Sequence, residues 1–214
     1  MKNIIFLFLI LVIFSCNAQT PILSRYDNPN YGRTQNAYYK DINNFQDQFV
    51  GTWIYTNGNT TLKVVFIKKL MFYNNFDPKK YYEDVLIGEY QYIENGVEKV
   101  NSLSNLNSNP LTYFDYNLYS STKMTNESPY PPCDECPSGA LRLRMKFDEP
   151  ANDDSLLGAD FVIRKVIENG VEKLKVQFVK ISAASGASKA NFSLPSTFRE
   201  FSLPYGNYTL IKQQ

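Results

Sequence analysis

Val85-Leu86-Ile87-Gly88-Glu89-Tyr90-Gln91-Tyr92-Ile93-Glu94-Asn95-Gly96-Val97-Glu98-Lys99-Val100 is a run of β-branched and aromatic residues broken once, by Asn95-Gly96. Asn and Gly tolerate the positive φ that a type I′ turn demands at both central residues. The stretch therefore predicts two antiparallel strands, residues 85–93 and 97–103. The same device recurs twice: Asn57-Gly58 joins residues 53–56 to 60–67, and Asn169-Gly170 joins 161–167 to 171–181. Three turns give six strands.

Working outward, Leu141, Leu143, Met145 and Phe147 alternate with Arg142, Arg144 and Lys146, which predicts a half-buried strand with one basic face. Residues 208–211 supply a last strand. Two stretches, 104–139 and 182–206, are too long for simple turns, and loops of that length tend to border a site. The first has room for one more strand near residues 113–119. Ahead of the β region, Asp41 is placed to cap a short helix whose Ile42, Phe45 and Phe49 form one apolar stripe, stopped by Gly51. The heptapeptide I-E-N-G-V-E-K at 93–99 returns at 167–173, and two exposed hairpin tips with the same turn and the same charged cross-strand partners account for it more readily than a duplication does. The expected fold is all-β: an antiparallel meander of eight or nine strands forming a barrel or a β-sandwich, with a short N-terminal helix. It is expected to occupy residues 40–214 as one domain, preceded by a flexible tether over 19–39, where Pro, Asn and Tyr mix without periodicity.

Residues 1–18 read as a leader. Lys2 precedes an unbroken apolar run from Ile4 to Phe14, eleven residues where a membrane-spanning helix needs about 20. Ile13-Phe14-Ser15-Cys16 resembles a lipoprotein box with Cys16 as the lipidated residue, while Cys16-Asn17-Ala18 also fits ordinary signal peptidase. Either cleavage places the domain outside the cytoplasm. The first gives an outer-membrane or periplasmic lipoprotein held to the membrane by its N-terminal lipid; the second gives a secreted protein. The chain carries 22 Lys+Arg against 21 Asp+Glu, and loss of Lys2 leaves 21 against 21, a net charge of zero. Nucleic acid is not an expected partner, because duplex binding leans on a basic surface that neutralises several phosphates.

The chain has no histidine. That excludes Ser-His-Asp and Cys-His nucleophiles, H-E-x-x-H zinc sites and a histidine general base. Among what remains, Pro132-Cys133-Asp134-Glu135-Cys136-Pro137 is the sharpest local feature. An exported, Pro-flanked CxxC reads first as a structural disulfide. A redox pair would want its first Cys at a helix N-terminus, and zinc would want four ligands. Asp148, Glu149, Asp153 and Asp154 have the chemistry of oxygen ligands but the spacing of no known calcium loop, so they read as a solvated hairpin tip. Glu83 and Asp84 are adjacent in a strand and must point to opposite faces, which makes them poor acid/base partners. Ser120-x-x-Lys123 lacks the companion motifs of Ser-Lys enzymes. No catalytic residue, metal or cofactor is expected, and the protein is not expected to be an enzyme. Trp53, Tyr82 and Tyr90 are the candidate ligand-binding aromatics, for a small apolar or glycan ligand in a cavity near Trp53. The alternatives are a thiol redox protein using Cys133 and Cys136, or a structural or interaction module.

Gly51-Thr52-Trp53, a G-x-W leading into the first predicted strand directly after a short helix, resembles the opening of the lipocalins. That resemblance implies a barrel whose end is closed by Trp53. Over nearly its whole length the chain resembles an uncharacterised family of exported Bacteroidetes proteins, a domain of unknown function. The likeness rests on Ser15-Cys16-Asn17-Ala18-Gln19, Gly51-Thr52-Trp53, Tyr81-Tyr82-Glu83-Asp84, Glu94-Asn95-Gly96-Val97-Glu98, Cys133-x-x-Cys136 and Pro204-Tyr205-Gly206-x-Tyr208. It implies export and an all-β fold, and it assigns no activity.

Overall fold

The structure is a computed structural model that describes residues 20–75 and 79–213. Its strands are β1 (Ile22–Ser24), β2 (Tyr38–Lys40), β3 (Gly51–Asn57), β4 (Thr60–Asn74), β5 (Tyr81–Glu94), β6 (Val97–Asn101), β7 (Leu118–Thr125), β8 (Leu141–Phe147), β9 (Ala159–Glu168), β10 (Val171–Lys180) and β11 (Gly206–Lys212). Eight of them close an antiparallel barrel in the order β5-β4-β3-β11-β10-β9-β8-β7. The ring closes where Ile87 and Gly88 of β5 pair with Tyr119 and Leu118 of β7. Closure removes the unpaired edges that an open sheet would expose. Of the two all-β architectures that the sequence allowed, the barrel is the one formed.

The organising strand is β5. One edge pairs with β4 along nearly its full length, and the other is shared among β2 at Tyr82 and Glu83, β7 at Ile87 and Gly88, and β6 at Gln91–Glu94. Residues 83–90 are buried on both faces. Leu86, Tyr90 and Tyr92 belong to the barrel core, whereas Val85 and Ile87 form a second, outer core with Tyr113 and Tyr116 from the β6–β7 connection. A two-faced apolar strand of this kind is what an unbroken V-L-I run encodes.

The turns follow the Asn-Gly reading with one shift. Asn95-Gly96 and Asn169-Gly170 carry positive φ at both residues, as type I′ requires. In the β3–β4 turn Asn57 pairs with Thr60, so Gly58 and Asn59 are central, with positive φ at Gly58 only. That is the type II′ pattern. The two I-E-N-G-V-E-K copies are not equivalent: the second joins two barrel staves, while the first ends in β6, which lies off the ring. The short N-terminal helix is a single 3₁₀ turn, Asp47–Phe49. Asp41 does cap this region, accepting from the Phe45 and Gln46 N–H groups, but Ile42 is exposed. Residues 113–119 give a 3₁₀ turn, Tyr113–Asp115, before β7 begins at Leu118.

Within the segment read as a spacer, Ile22–Ser24 and Tyr38–Lys40 pair in parallel and extend β5. Arg25 anchors them. It is 4% exposed and forms an ion pair with Glu83, which is fully buried. The guanidinium also donates to the Ser120 carbonyl at 2.8 Å. Composition alone favours a disordered reading here, because Arg25 and Tyr31 find their shared partner, Glu83, more than 50 residues away.

Consecutive staves alternate in direction, so their connections alternate between the two mouths of the barrel. One mouth is stoppered by residues 41–50, with Phe49 buried beneath Trp53; the other is covered by the β10–β11 connection, which inserts Phe201 and Leu203. Eight staves leave an interior about wide enough for side chains to fill. They fill it so closely that Gly88 is obligatory: a Cβ there would meet the Phe66 ring at 2.6 Å.

Candidate functional site

Trp53 and Tyr90 come together inside the barrel. Trp53 pairs with Val64 and Val64 with Tyr90, so the two rings face inward from one cross-strand row. Both are fully buried. The Trp53 indole N–H donates to the Phe49 carbonyl at 2.8 Å, and the Lys212 ammonium lies 5.6 Å from the indole centroid. The Tyr90 ring sits 4.9 Å from Phe147, which in turn contacts Phe161, Phe178 and Phe201. Burial, and then the carboxylates of Glu149 and Asp148, raise the Tyr90 phenol above its ordinary pKa. The neighbours of the two rings inside the barrel are Phe49, Val64 and Phe147. Tyr82 is elsewhere. It lies eight residues along β5 from Tyr90, roughly 26 Å at about 3.3 Å per residue, and its ring packs on Tyr73 at 5.2 Å.

Glu83 and Asp84 do point apart. Glu83 takes the Arg25 ion pair together with hydrogen bonds from Tyr31 and Asn74. Asp84 accepts from the Tyr38 hydroxyl at 2.5 Å and from the Asp41 and Met71 N–H groups. Each carboxylate is saturated by its own network, with no shared substrate position between them. The formal S-x-x-K is likewise divided: the Ser120 hydroxyl accepts from the Leu86 N–H, and Lys123 pairs with Asp27.

The acidic residues 148–154 correct the reading of a solvated hairpin tip. Asp154 is fully buried and Glu149 is 5% exposed. Glu149 accepts from the Ser202 N–H and hydroxyl, Asp153 from the Ser196 hydroxyl and the Phe198 N–H, and Asp154 from Ser185 and Gly186. These carboxylates fasten the β10–β11 connection over its mouth. Among the described residues, no group of three or more Cys, Asp and Glu side chains is placed to hold a metal ion.

Cys133 and Cys136 form a disulfide, as the Pro-flanked CxxC predicts. Cys16 lies outside the described residues. The disulfide loop folds back over the outer face of β8, β9 and β10, held by the basic residues of that face. Arg142 donates to the carbonyls of Pro131 at 2.8 Å and Thr125 at 3.2 Å, and Arg144 to that of Tyr130 at 2.6 Å. Gln177 donates to the Pro132 carbonyl at 2.7 Å, and Arg164 to Glu135 at 2.9 Å. Between the loop and β9, β10 and β11 lies a cleft of about 380 Å³, lined by Cys133, Arg142, Arg164, Lys175, Gln177 and Thr209 among others.

This cleft is the site that the sequence did not declare. Arg142 is visible as one member of an alternating basic face. Arg164 and Lys175 join it only through the ladder, in which Leu143 pairs with Ile163 and Lys175 with Arg164. Nothing local announces that the CxxC loop would turn back onto that face.

A family model described as "Family of unknown function (DUF6705)" matches residues 1–213. No curated protein and no solved structure matches the chain.

Proposed function

We propose, from the premise that the chain belongs to the DUF6705 family, that it is an exported, lipid-anchored cell-envelope protein. Its barrel does no chemistry and serves as a rigid recognition module that works from its outer surface. The observation that carries this reading is the burial of the interior aromatics: Trp53 and Tyr90, the aromatics best placed to hold a small apolar ligand, are fully buried against protein groups. The leader and the disulfide support a place outside the cytoplasm, since thiols persist reduced within it.

Two measurements test the reading. Trp53 is the chain's single tryptophan, so its fluorescence reports the interior alone. Titration with apolar dyes and fatty acids is expected to leave its emission unchanged, and a saturable, stoichiometric quench would overturn the external mode of recognition. Intact mass of the membrane-extracted protein is expected to show a diacylated or triacylated Cys16. An unmodified N-terminus at Gln19 would remove the anchor.

The second reading, a thiol redox protein, is favoured by one observation: Cys133 is half-buried beside Arg142, Arg164 and Lys175, and cations lower a thiol's pKa. It predicts that mild reduction with glutathione frees a Cys133 thiol that alkylates rapidly. A disulfide that resists glutathione excludes it.

A further inference from the structure

We propose that the cleft between the disulfide loop and the outer face of β9, β10 and β11 binds an oxyanion, the carboxylate or phosphate of an acidic sugar. The inference rests on the reading of the outer surface as the recognition face. It begins with a charge that the protein leaves uncompensated.

Arg142 is 1% exposed, and every group that its guanidinium reaches is neutral: the carbonyls of Pro131 and Thr125, and the Gln177 side-chain oxygen at 2.7 Å. Its buried Nε makes no hydrogen bond. Burial first, and then Arg144 and Arg164, hold Arg142 below the ordinary arginine pKa. Its surroundings are cationic as well. Arg144 and Lys146 share Asp160, Lys173 and Lys175 share Glu168, and Arg164 has Glu135. With Arg142, six cations face three paired carboxylates, and Asp134 at the cleft brings the acids to four. A buried cation without an anionic partner is costly, and an incoming anion relieves that cost through charge-assisted hydrogen bonds.

The walls specify more than charge. Arg164 and Lys175 are partly exposed and supply donors to an oxyanion. Asn207 and Thr209 add amide and hydroxyl groups of the kind that bond sugar hydroxyls. The volume of about 380 Å³ falls at the small end of the roughly 300–1,000 Å³ typical of ligand sites, which suits one saccharide unit rather than a polymer. The Cys133–Cys136 bond fixes the loop wall before a ligand arrives, so little ordering cost is left to binding.

The test uses the mature domain with glucuronate, inorganic phosphate and neutral glucose, followed by calorimetry and by amide NMR shifts. Saturable binding of glucuronate, with shifts at Arg164, Lys175, Gln177 and Thr209, is expected, and glucose is expected to be silent. Phosphate competing for the same amides supports the oxyanion chemistry. Stronger binding of glucuronate than of phosphate identifies the carboxylate sugar; the reverse order identifies a phosphorylated one. Lys175→Gln and Arg164→Gln are each expected to weaken binding about tenfold, with Lys175→Arg restoring it. Lys99→Gln, on the distant β6 hairpin, is expected to leave it unchanged. Failure of both anions to bind saturably, or an equal loss in Lys99→Gln, overturns the proposal. That result leaves the Trp53 titration untouched, so a failed cleft and a failed external mode of recognition are told apart.

Discussion

Glu89 and Asp154 are both fully buried carboxylates, and each lies under a long connection, yet burial leads them in opposite directions. Glu89, on the outer face of β5, accepts one N–H, from Asn117 at 3.2 Å, and its second oxygen has no partner. Burial raises it to about 7, only partly offset by the Ser102 hydroxyl and the Asn117 N–H. Burial pushes Asp154 up too, but the N–H groups of Ser185, Leu156 and Gly186 and the Ser185 hydroxyl push it further down, below the usual carboxylate range. The Leu157 N–H completes its shell. Donor number, rather than depth, decides whether a buried acid keeps its charge. Asp154 is a permanent anionic clasp on the β10–β11 connection, whereas Glu89 is neutral or charged according to pH.

The largest expected effect follows from removing the clasp. Asp154→Ala strips the acceptor from four backbone N–H groups, and the melting temperature is expected to fall by about 10 °C. Limited proteolysis is expected to cut first within residues 182–206. Cleavage elsewhere would mean that Phe201 and Leu203 hold the lid without the clasp.

Next comes pH. Glu89 binds its proton more tightly when folded, so its contribution to stability is complete below the ordinary value of 4.5 and is lost as pH rises through about 7. Unfolding free energy from urea titrations is expected to be greater at pH 4 than at pH 8 by at most about 3 kcal/mol from this group. Glu89→Gln is expected to remove that dependence and to stabilise the protein at pH 8, the opposite sign to Asp154→Asn. Asp154 contributes in the other sense, with stability present above its ordinary pKa and lost only in strong acid. A flat wild-type profile between pH 5 and 8 would break the contrast. A smaller effect is expected from Ser102→Ala, which removes the one hydroxyl that both lowers Glu89 and is bonded to the Tyr90 backbone. The Glu89 transition should move upward by a fraction of a unit, with a stability loss of about 1 kcal/mol.

The same contrast explains what could be read from the sequence. Strands announced themselves, because Asn95-Gly96 and Asn169-Gly170 impose positive φ locally, and because Leu143, Met145 and Phe147 alternate with basic residues over a single strand. The disulfide was legible for the same reason: its partners lie three residues apart. Asp154 was not, since its donors at Ser185 and Gly186 are more than thirty residues away, and a cluster of acids looks solvated until those donors are known. Arg25 and Arg142 were hidden in the same way. Their partners come from Glu83 and from a loop that folds back, neither of which periodicity can reveal. Trp53 is an inward-facing ring of the first barrel strand, and no sequence pattern tells whether an inward ring lines a cavity or fills one.

The smallest expected effect tests whether rim charges share the work of the clasp. Lys189 pairs with Asp148 where the β10–β11 connection meets the β8–β9 connection, and both side chains are more than a third exposed. Water screens such a pair, and holding two flexible side chains together costs entropy, so Lys189→Ala is expected to cost below about 0.5 kcal/mol. The loss should vanish in high salt, where the Debye length falls to about 3 Å at 1 M. The Asp154 contacts, shielded from solvent, should keep their full effect under the same conditions. A Lys189→Ala loss comparable to that of Asp154→Ala, and insensitive to salt, would mean that the lid is held by charge at its rim. Donor number would then no longer separate the two buried acids.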